Sequence, residues 1–513
     1  MEVTLPGLDE QEALRCLSIL EKVVADRSLI ARLPKALRTA LIVAAGRFSR
    51  PERHEVTAVS RALRKDRRAQ KQARDRSSRA ESDIRAVRSA TVFTAPPRLE
   101  TPQGPERILS KPRACYVCKD GFTRLHFFYD SMCPACADFN YAKRFQTAPL
   151  EGMTAVITGA RLKIGYQASL MMLRAGASVV ATTRFPHDAA LRYSREADYP
   201  EWKSRLQVHG LDLRHSPSVE IFCRYLDSTL SGLHILINNA AQTVRRPPQF
   251  YEHLLEAEAA ALPREAHGLL ASHRRLLHSL DGAAAASRVT DAAAPPDATG
   301  LAVWHGSGAG AGLRRSAELS QLKYGYDDAQ SGRDAFPAGR TDADLQQVDL
   351  RTMNSWRMTL AEVPTAEMLE LQLINSVAPF ILCSKLKPLM LRSGPGEKHM
   401  VNVSAMEGSF SRGTKTDKHP HTNMAKAALN MLTLTSARDY EKAGIYMNAV
   451  DTGWVTDEDP AQHAAAKRSM HDFQPPLDIV DGAARILDPV FSSLLTGAPV
   501  WGKFLKDYKP TDW

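Results

Sequence analysis

Four cysteines carry the clearest chemistry in this chain. Cys115, Cys118, Cys133 and Cys136 form two C-x2-C units separated by fourteen residues. Two residues between cysteines let both thiolates of a tight turn face one ion. A second such turn completes the tetrahedron that zinc prefers. With four protein ligands no coordination position stays open, so the expectation is a structural zinc rather than a catalytic one. A module this short cannot bury a sufficient core, and the metal is expected to supply its folding energy. CPAC alone would suit a redox dithiol, but two paired units favour the metal. Cys16, Cys223 and Cys383 are scattered, whereas the clustering of the other four in a reducing cytosol favours metal over disulfides.

Two further stretches combine backbone and charge. TGARLKIG, residues 158–165, follows an apolar strand-like run and opens a helix-like one. Backbone N–H groups of such a turn, with the helix dipole, suit a pyrophosphate. PHTNMAKAALNM, from Pro420 to Met431, sets Lys426 in an Ala-rich helical run four residues after Thr422.

The elements that must position these residues divide along the chain. Residues 1–93 read as helices, with Asp9 an N-cap candidate and Ser49-Arg50-Pro51-Glu52 matching a capping box ahead of a long basic helix. Residues 94–113 are Pro-rich and read as a linker, and 114–148 as the four-cysteine module, with TRLHFFYD strand-like in composition. From 149 to 513 strands alternate with helices, as in GMTAVITGARLKIGYQASLMMLRAGASVVATTR, LHILINNAA, MVNVSA and IYMNAVDTG. That alternation implies an α/β domain with a doubly wound parallel sheet. It is interrupted by a large insertion at about 244–350, which holds low-complexity sequence such as GSGAGAG. An insertion of that length is disordered or functional, often an active-site cover.

The region from about 150 onward resembles the short-chain dehydrogenase/reductase family. The resemblance rests on TGARLKIG, Asp212 in LDL, NNAA at 238–241, Asn375 in NSVAPF, NVSAMEG at 402–408, Lys426 and DTGWVT at 451–456. It implies a Rossmann-like fold in which Thr158, Gly159, Arg161, Lys163, Ile164 and Gly165 hold the pyrophosphate of a nicotinamide dinucleotide. Asp212 would bond the adenine amino group, Asn238 would begin the run backing the adenosine, and Thr456 would join the cofactor site. Relatives usually carry a glycine where Lys163 stands. Members that prefer NAD end the second strand with an acidic residue, whereas here the strand ends ATTR. Arg184 in that place could pair with a 2′-phosphate, so NADP(H) is expected.

The family's catalytic group is an asparagine, a serine, a tyrosine and a lysine. Asn375 and Lys426 match the first and last. Aligned through NVS the serine position becomes Ala405, with Ser404 the preceding, mainly structural serine; counted back from the helix it becomes Ser409. The tyrosine position is Thr422, whose aliphatic hydroxyl is a poor general acid. Three readings follow. The proton donor comes from His419, His421, Tyr324 or Tyr326; or the chain binds NADP(H) without turnover, as a sensor or scaffold; or hydride passes to a C=C or C=N bond that needs no tyrosine.

The expectation is an atypical NADP(H)-dependent oxidoreductase acting on a small carbonyl or alcohol substrate, with the silent scaffold as its alternative. A homodimer or homotetramer through the helices around Asn375 and Lys426 is expected by resemblance. The net charge of +10 is concentrated in residues 61–88, with 11 Lys+Arg against 4 Asp+Glu. A solvated helix is the plainer reading of that run, and phosphate contact with nucleic acid the sharper one. No apolar run reaches membrane-spanning length, and the acidic start does not suit a signal peptide, so a cytoplasmic protein is expected.

Overall fold

The computed structural model describes residues 9–99, 105–290, 308, 310–325, 334–394 and 396–513, with backbone alone for 282–290. The chain forms two compact units, one ending at Asp75 and one running from Arg76 to Trp513. In the first, helices Glu10–Ala25 and Lys35–Ser49 are followed by most of helix Arg53–Ala80, which carries most of the basic run. Asp9 caps its helix in a complete capping box with Glu12. The box read at Ser49 does not form. The Ser49 hydroxyl donates to Gly46 O in the preceding helix, and the next helix begins at Arg53 with the Glu55 side chain accepting from Glu52 N–H.

The second unit is built on eight strands. We number all strands in chain order: β1 Ile108–Ala114, β2 Gly121–Arg124, β3 Thr154–Thr158, β4 Ser178–Thr183, β5 Leu206–Gly210, β6 Ile235–Asn238, β7 Lys398–Ser404, β8 Ile445–Asp451, β9 Phe504–Lys506 and β10 Lys509–Thr511. β1 and β2 form an antiparallel hairpin, so part of the stretch read as linker is strand. The large sheet runs β10-β9-β8-β7-β6-β3-β4-β5, parallel except for β10 against β9. This is the α/β architecture read from the sequence.

Its strands are apolar on both faces, as a sheet covered by helices on each side requires. Ala155 and Ile157 of β3 pack into one core with Leu170 and Leu173 of helix Lys163–Arg174 and Ile486 and Phe491 of helix Ile479–Thr496. Val156 points the other way, joining Phe222, Leu382, Leu386 and Met447. The order places β6 and β4 on opposite sides of β3, so the crossovers diverge there. Such a switch point opens a crevice at the carboxyl ends of the strands.

The helical stretch Thr365–Arg392 is apolar and long enough to cross a membrane, but 56% of its most apolar window is buried within the chain. It serves as a core helix and carries Asn375 on one wide π-helical turn, Leu373–Val377. Such single turns recur at functional sites. The long segment between β6 and β7 holds the insertion. Tyr326 and residues 306, 307 and 309 of GSGAGAG fall outside the described residues.

Candidate functional site

The turn after β3 has geometry that its side chains dictate. Gly159 adopts φ +68°, and a Cβ there would lie 2.8 Å from the Ala240 Cα. A Cβ on Gly165 would lie 2.3 Å from the Gly159 carbonyl oxygen and 2.4 Å from Asn239 Nδ2. Both positions therefore demand glycine. Lys163 sits between them at φ +56°, a left-handed conformation that costs a non-glycine residue roughly 1–2 kcal/mol. Its ammonium stands 3.9 Å from Asp342 of the insertion. Thr158 is buried, its hydroxyl accepting from Ala240 N–H at 3.0 Å.

A cavity of about 310 Å³ opens beside this turn, lined among others by Gly159, Arg161, Lys163, Arg184 and Asp212. The two arginines differ in their commitments. Arg161 is buried and paired with Asp188 at 2.8 Å. Arg184 donates to the Tyr251 hydroxyl at 2.8 Å and lies 4.7 Å from the centre of that ring. Asp212 is clasped by its neighbour Arg214, with contacts of 2.6 and 3.1 Å. Burial opposes ionisation of Asp212, but Arg214 holds its carboxyl below the usual carboxylate range. The insertion is tied to this end of the crevice: Asp212 N–H donates to Gly312 O at 2.8 Å, and the Ser316 hydroxyl to Arg184 O at 2.9 Å. Asn238 turns inward instead, donating to Asn402 Oδ1 at 2.8 Å, and its neighbour Ala240 lines the cavity.

A second cavity, of about 620 Å³, shares Thr243 and Glu458 with the first. Lys426, Thr422, Ala405, Ile164 and Thr456 line it. The Lys426 ammonium donates to Val403 O at 2.8 Å. Burial pulls its pKa down to about 8, against the pull of Glu407 and Asp451. Thr422 donates to Thr243 O at 3.4 Å, and Thr456 to Glu458 at 2.8 Å. The serines lie elsewhere: Ser404 donates to Asn430 Oδ1 at 2.5 Å, and Ser409, fully buried, pairs with the Ser411 hydroxyl at 2.9 Å. Asn375 is held by both ends of its amide, donating to Gln242 O and accepting from Gln242 N–H, each at 2.8 Å.

The proposed substitute donors are dispersed. Tyr324 gives its hydrogen bond to Glu370 at 3.0 Å. His421 is buried and pushed down to about 4 by burial and by His419, so it is neutral near pH 7. His419 does line the second cavity, stacked 3.9 Å from Trp356.

Sequence reasoning missed two residues of the second cavity, Tyr116 and Lys119. Both belong to the first cysteine turn; the Tyr116 hydroxyl accepts from Trp454 N–H at 3.0 Å. CYVCK carries no local sign of this, because their place in the cavity depends on how the cysteine turn docks.

The four cysteine sulfurs lie within 4.8 Å of one another, a spacing that fits one tetrahedral cation. Burial opposes ionisation of Cys115, yet the amides of Cys133, Cys118 and Val117 bring its thiol down to about 7. The module does not stand alone. Phe128, Tyr129 and Met132 bury against Val455, Leu477 and Ile479. Arg144 adds ion pairs of 2.7 and 2.8 Å to Asp478 and Asp481. Of the stretch TRLHFFYD read as strand-like, only Thr123 and Arg124 fall in strand β2; the aromatic residues after them serve as core.

Residues 153–281 match the family described as short chain dehydrogenase. Residues 351–476 match the one described as Enoyl-(Acyl carrier protein) reductase. The first match runs into the insertion and the second begins just after it, and together they support the short-chain dehydrogenase/reductase family. An uncharacterised protein of Acanthamoeba polyphaga mimivirus is 29% identical over 411 residues, 77% of this chain and 74% of that one. Among solved structures, the Pseudomonas aeruginosa RhlG/NADP active-site complex is 15% identical, covering 70% of this chain and 95% of its own, with TM-score 0.40. NADPH-bound carbonyl reductase from chicken fatty liver is 16% identical, covering 72% and 98%, with TM-score 0.40.

Proposed function

We propose that this chain is an NADP(H)-dependent oxidoreductase that interconverts a small carbonyl compound and its alcohol. The observation that carries this reading is the two-part crevice at the switch point, with a glycine cradle at one end and the buried Lys426 ammonium at the other. A dinucleotide fits these residues. The cradle is space that a Cβ would fill, and Arg184 faces the first cavity without a carboxylate partner within 4 Å among the described residues. Bound NADPH would supply the hydride. Lys426 would bond its ribose, Arg184 its 2′-phosphate, and the turn with Lys163 its pyrophosphate.

The proton that completes reduction comes from a group other than Thr422, because an aliphatic hydroxyl is too weak an acid. The test is NADPH oxidation with a panel of carbonyl compounds, compared with Lys426→Ala. Turnover in the parent protein and its loss in the variant are expected. Retained NADPH with no turnover on any compound would instead favour a silent, cofactor-binding scaffold. The threonine at the proton-donor position is the observation on that side.

Two further parts of the reading are the setting and the assembly. A reducing cytoplasm would keep the four thiols available for zinc. A homodimer is supported by apolar side chains left outward on the helices of Asn375 and Lys426. Phe380 is 57% exposed, Leu391 50% and Met431 55%.

A further inference from the structure

Charge in the second cavity is unevenly matched. Its carboxylates all have cations nearby: Glu407 has Arg412 at 2.9 Å, Asp451 has Lys506 at 3.6 Å, and Asp457 has Lys467 at 2.7 Å. Asp459 shares Lys467 at 2.9 Å, and Glu458 has Arg246 at 3.8 Å. Three lysines of the same cavity have no carboxylate within 4 Å among the described residues. Each spends one hydrogen on a main-chain carbonyl: Lys119 on Tyr116, Lys415 on Glu407 at 2.6 Å, and Lys426 on Val403 at 2.8 Å. An ammonium has three hydrogens to give, so each retains donors that only solvent or a ligand can take.

Lys426 is assigned to the cofactor ribose. Lys119 and Lys415 lie on two separate loops, the first held by the cysteine turn and the second by the loop before helix Pro420–Glu441. Lys119 is further fixed by its left-handed backbone, φ +69°, and by its ammonium lying 5.2 Å from the Tyr116 ring centre. Flat aromatic walls accompany them: Tyr116, Trp454, and Trp356 stacked on His419.

We infer that the substrate is a carbonyl compound carrying an anionic group, a carboxylate or a phosphate ester, which Lys119 and Lys415 receive. The cysteine module is then a specificity wall of the substrate site as well as a structural appendage. This inference rests on the oxidoreductase reading above, and its test separates the two. The probes are 4-formylbenzoate, its methyl ester and 4-formylphenyl phosphate, which share one aldehyde and differ in charge. Equilibrium binding is measured by calorimetry on the zinc-loaded, full-length protein saturated with NADP⁺, where no turnover intervenes.

At least one anionic probe should bind about tenfold more tightly than the neutral ester, the preference expected of charge-assisted hydrogen bonds. The stronger of the two anions identifies the group. Lys119→Met combined with Lys415→Met should abolish the preference while leaving NADPH affinity and zinc content unchanged. Equal affinity for acid and ester, no binding of any probe, or a preference that survives the double substitution would overturn the inference. So would a loss of NADPH affinity in the double variant, which would place both lysines in the cofactor site. If the anion binds as expected but NADPH does not reduce it, the anion-receiving role of Lys119 and Lys415 stands and the oxidoreductase reading falls.

Discussion

Arg184, at the end of β4, is held by Tyr251 from the inserted segment, through a 2.8 Å hydrogen bond and the face of its ring. The arginine is thus oriented beside the cavity without being neutralised. Arg184→Ala should weaken NADPH binding by about 10–100-fold, the range for a lost charge-assisted contact, and NADH binding far less. Fluorescence titration with both nucleotides checks this, and equal losses would remove the 2′-phosphate role. Tyr251→Phe keeps the ring and loses the hydroxyl, so only a few-fold loss of NADPH affinity is expected.

Lys426 is predicted to make cofactor binding depend on pH. Its folded pKa of about 8 lies below the ordinary 10.5, so the folded chain gives up this proton early. The ammonium proposed to bond the ribose is lost as pH rises through about 8, and NADPH affinity should decline over that interval. Lys426→Met should show weaker binding and no such limb. Stability runs the other way. Burying the charge opposes folding most strongly below pH 8, and the cost fades between about 8 and 10.5. Free of nucleotide at pH 7, Lys426→Met should therefore melt above the parent, and the gap should close in alkali.

Metal analysis should find about one zinc per chain, lost on replacing Cys115 and Cys118 with serine. Because the module buries Phe128 and Tyr129 against the sheet unit, chelation should lower the melting temperature of that unit too. A melt unchanged by chelation would argue that packing alone holds the module.

Charge placed on the outward face of the helices should break self-association. Phe380→Asp with Met431→Asp is expected to convert a dimer into a monomer in sedimentation, with the helical content kept. A parent protein that sediments as a monomer would end that proposal.

Much of the fold was legible because its strands are short apolar runs that alternate with amphipathic helices. Gly159 and Gly165 were legible for the same local reason, since backbone crowding leaves no alternative. Side-chain direction was not. Nothing in the stretch from NNAA to the adjoining strands says that Asn238 turns to Asn402 while Ala240 faces the crevice; that depends on strand register. The serines of NVSAMEGSFS could not be ranked, because the loop before Pro420 breaks the usual count, and both hydroxyls end in internal hydrogen bonds. The contribution of Tyr116 and Lys119 depended on how the cysteine turn docks, a long-range matter that spacing within the motif does not encode.

Glu370 receives Arg214 at 2.8 Å, Tyr324 at 3.0 Å and Gln242 at 3.2 Å, with Arg245 at 3.3 Å. Arg214 clasps Asp212 beside the first cavity, whereas Gln242 grips the amide of Asn375. One carboxylate thus fastens together the supports of two remote stations along the groove. Under the proposed reading, seating a nucleotide and setting the posture of Asn375 would become a single equilibrium, and whatever dislodges Glu370 would slacken both ends at once.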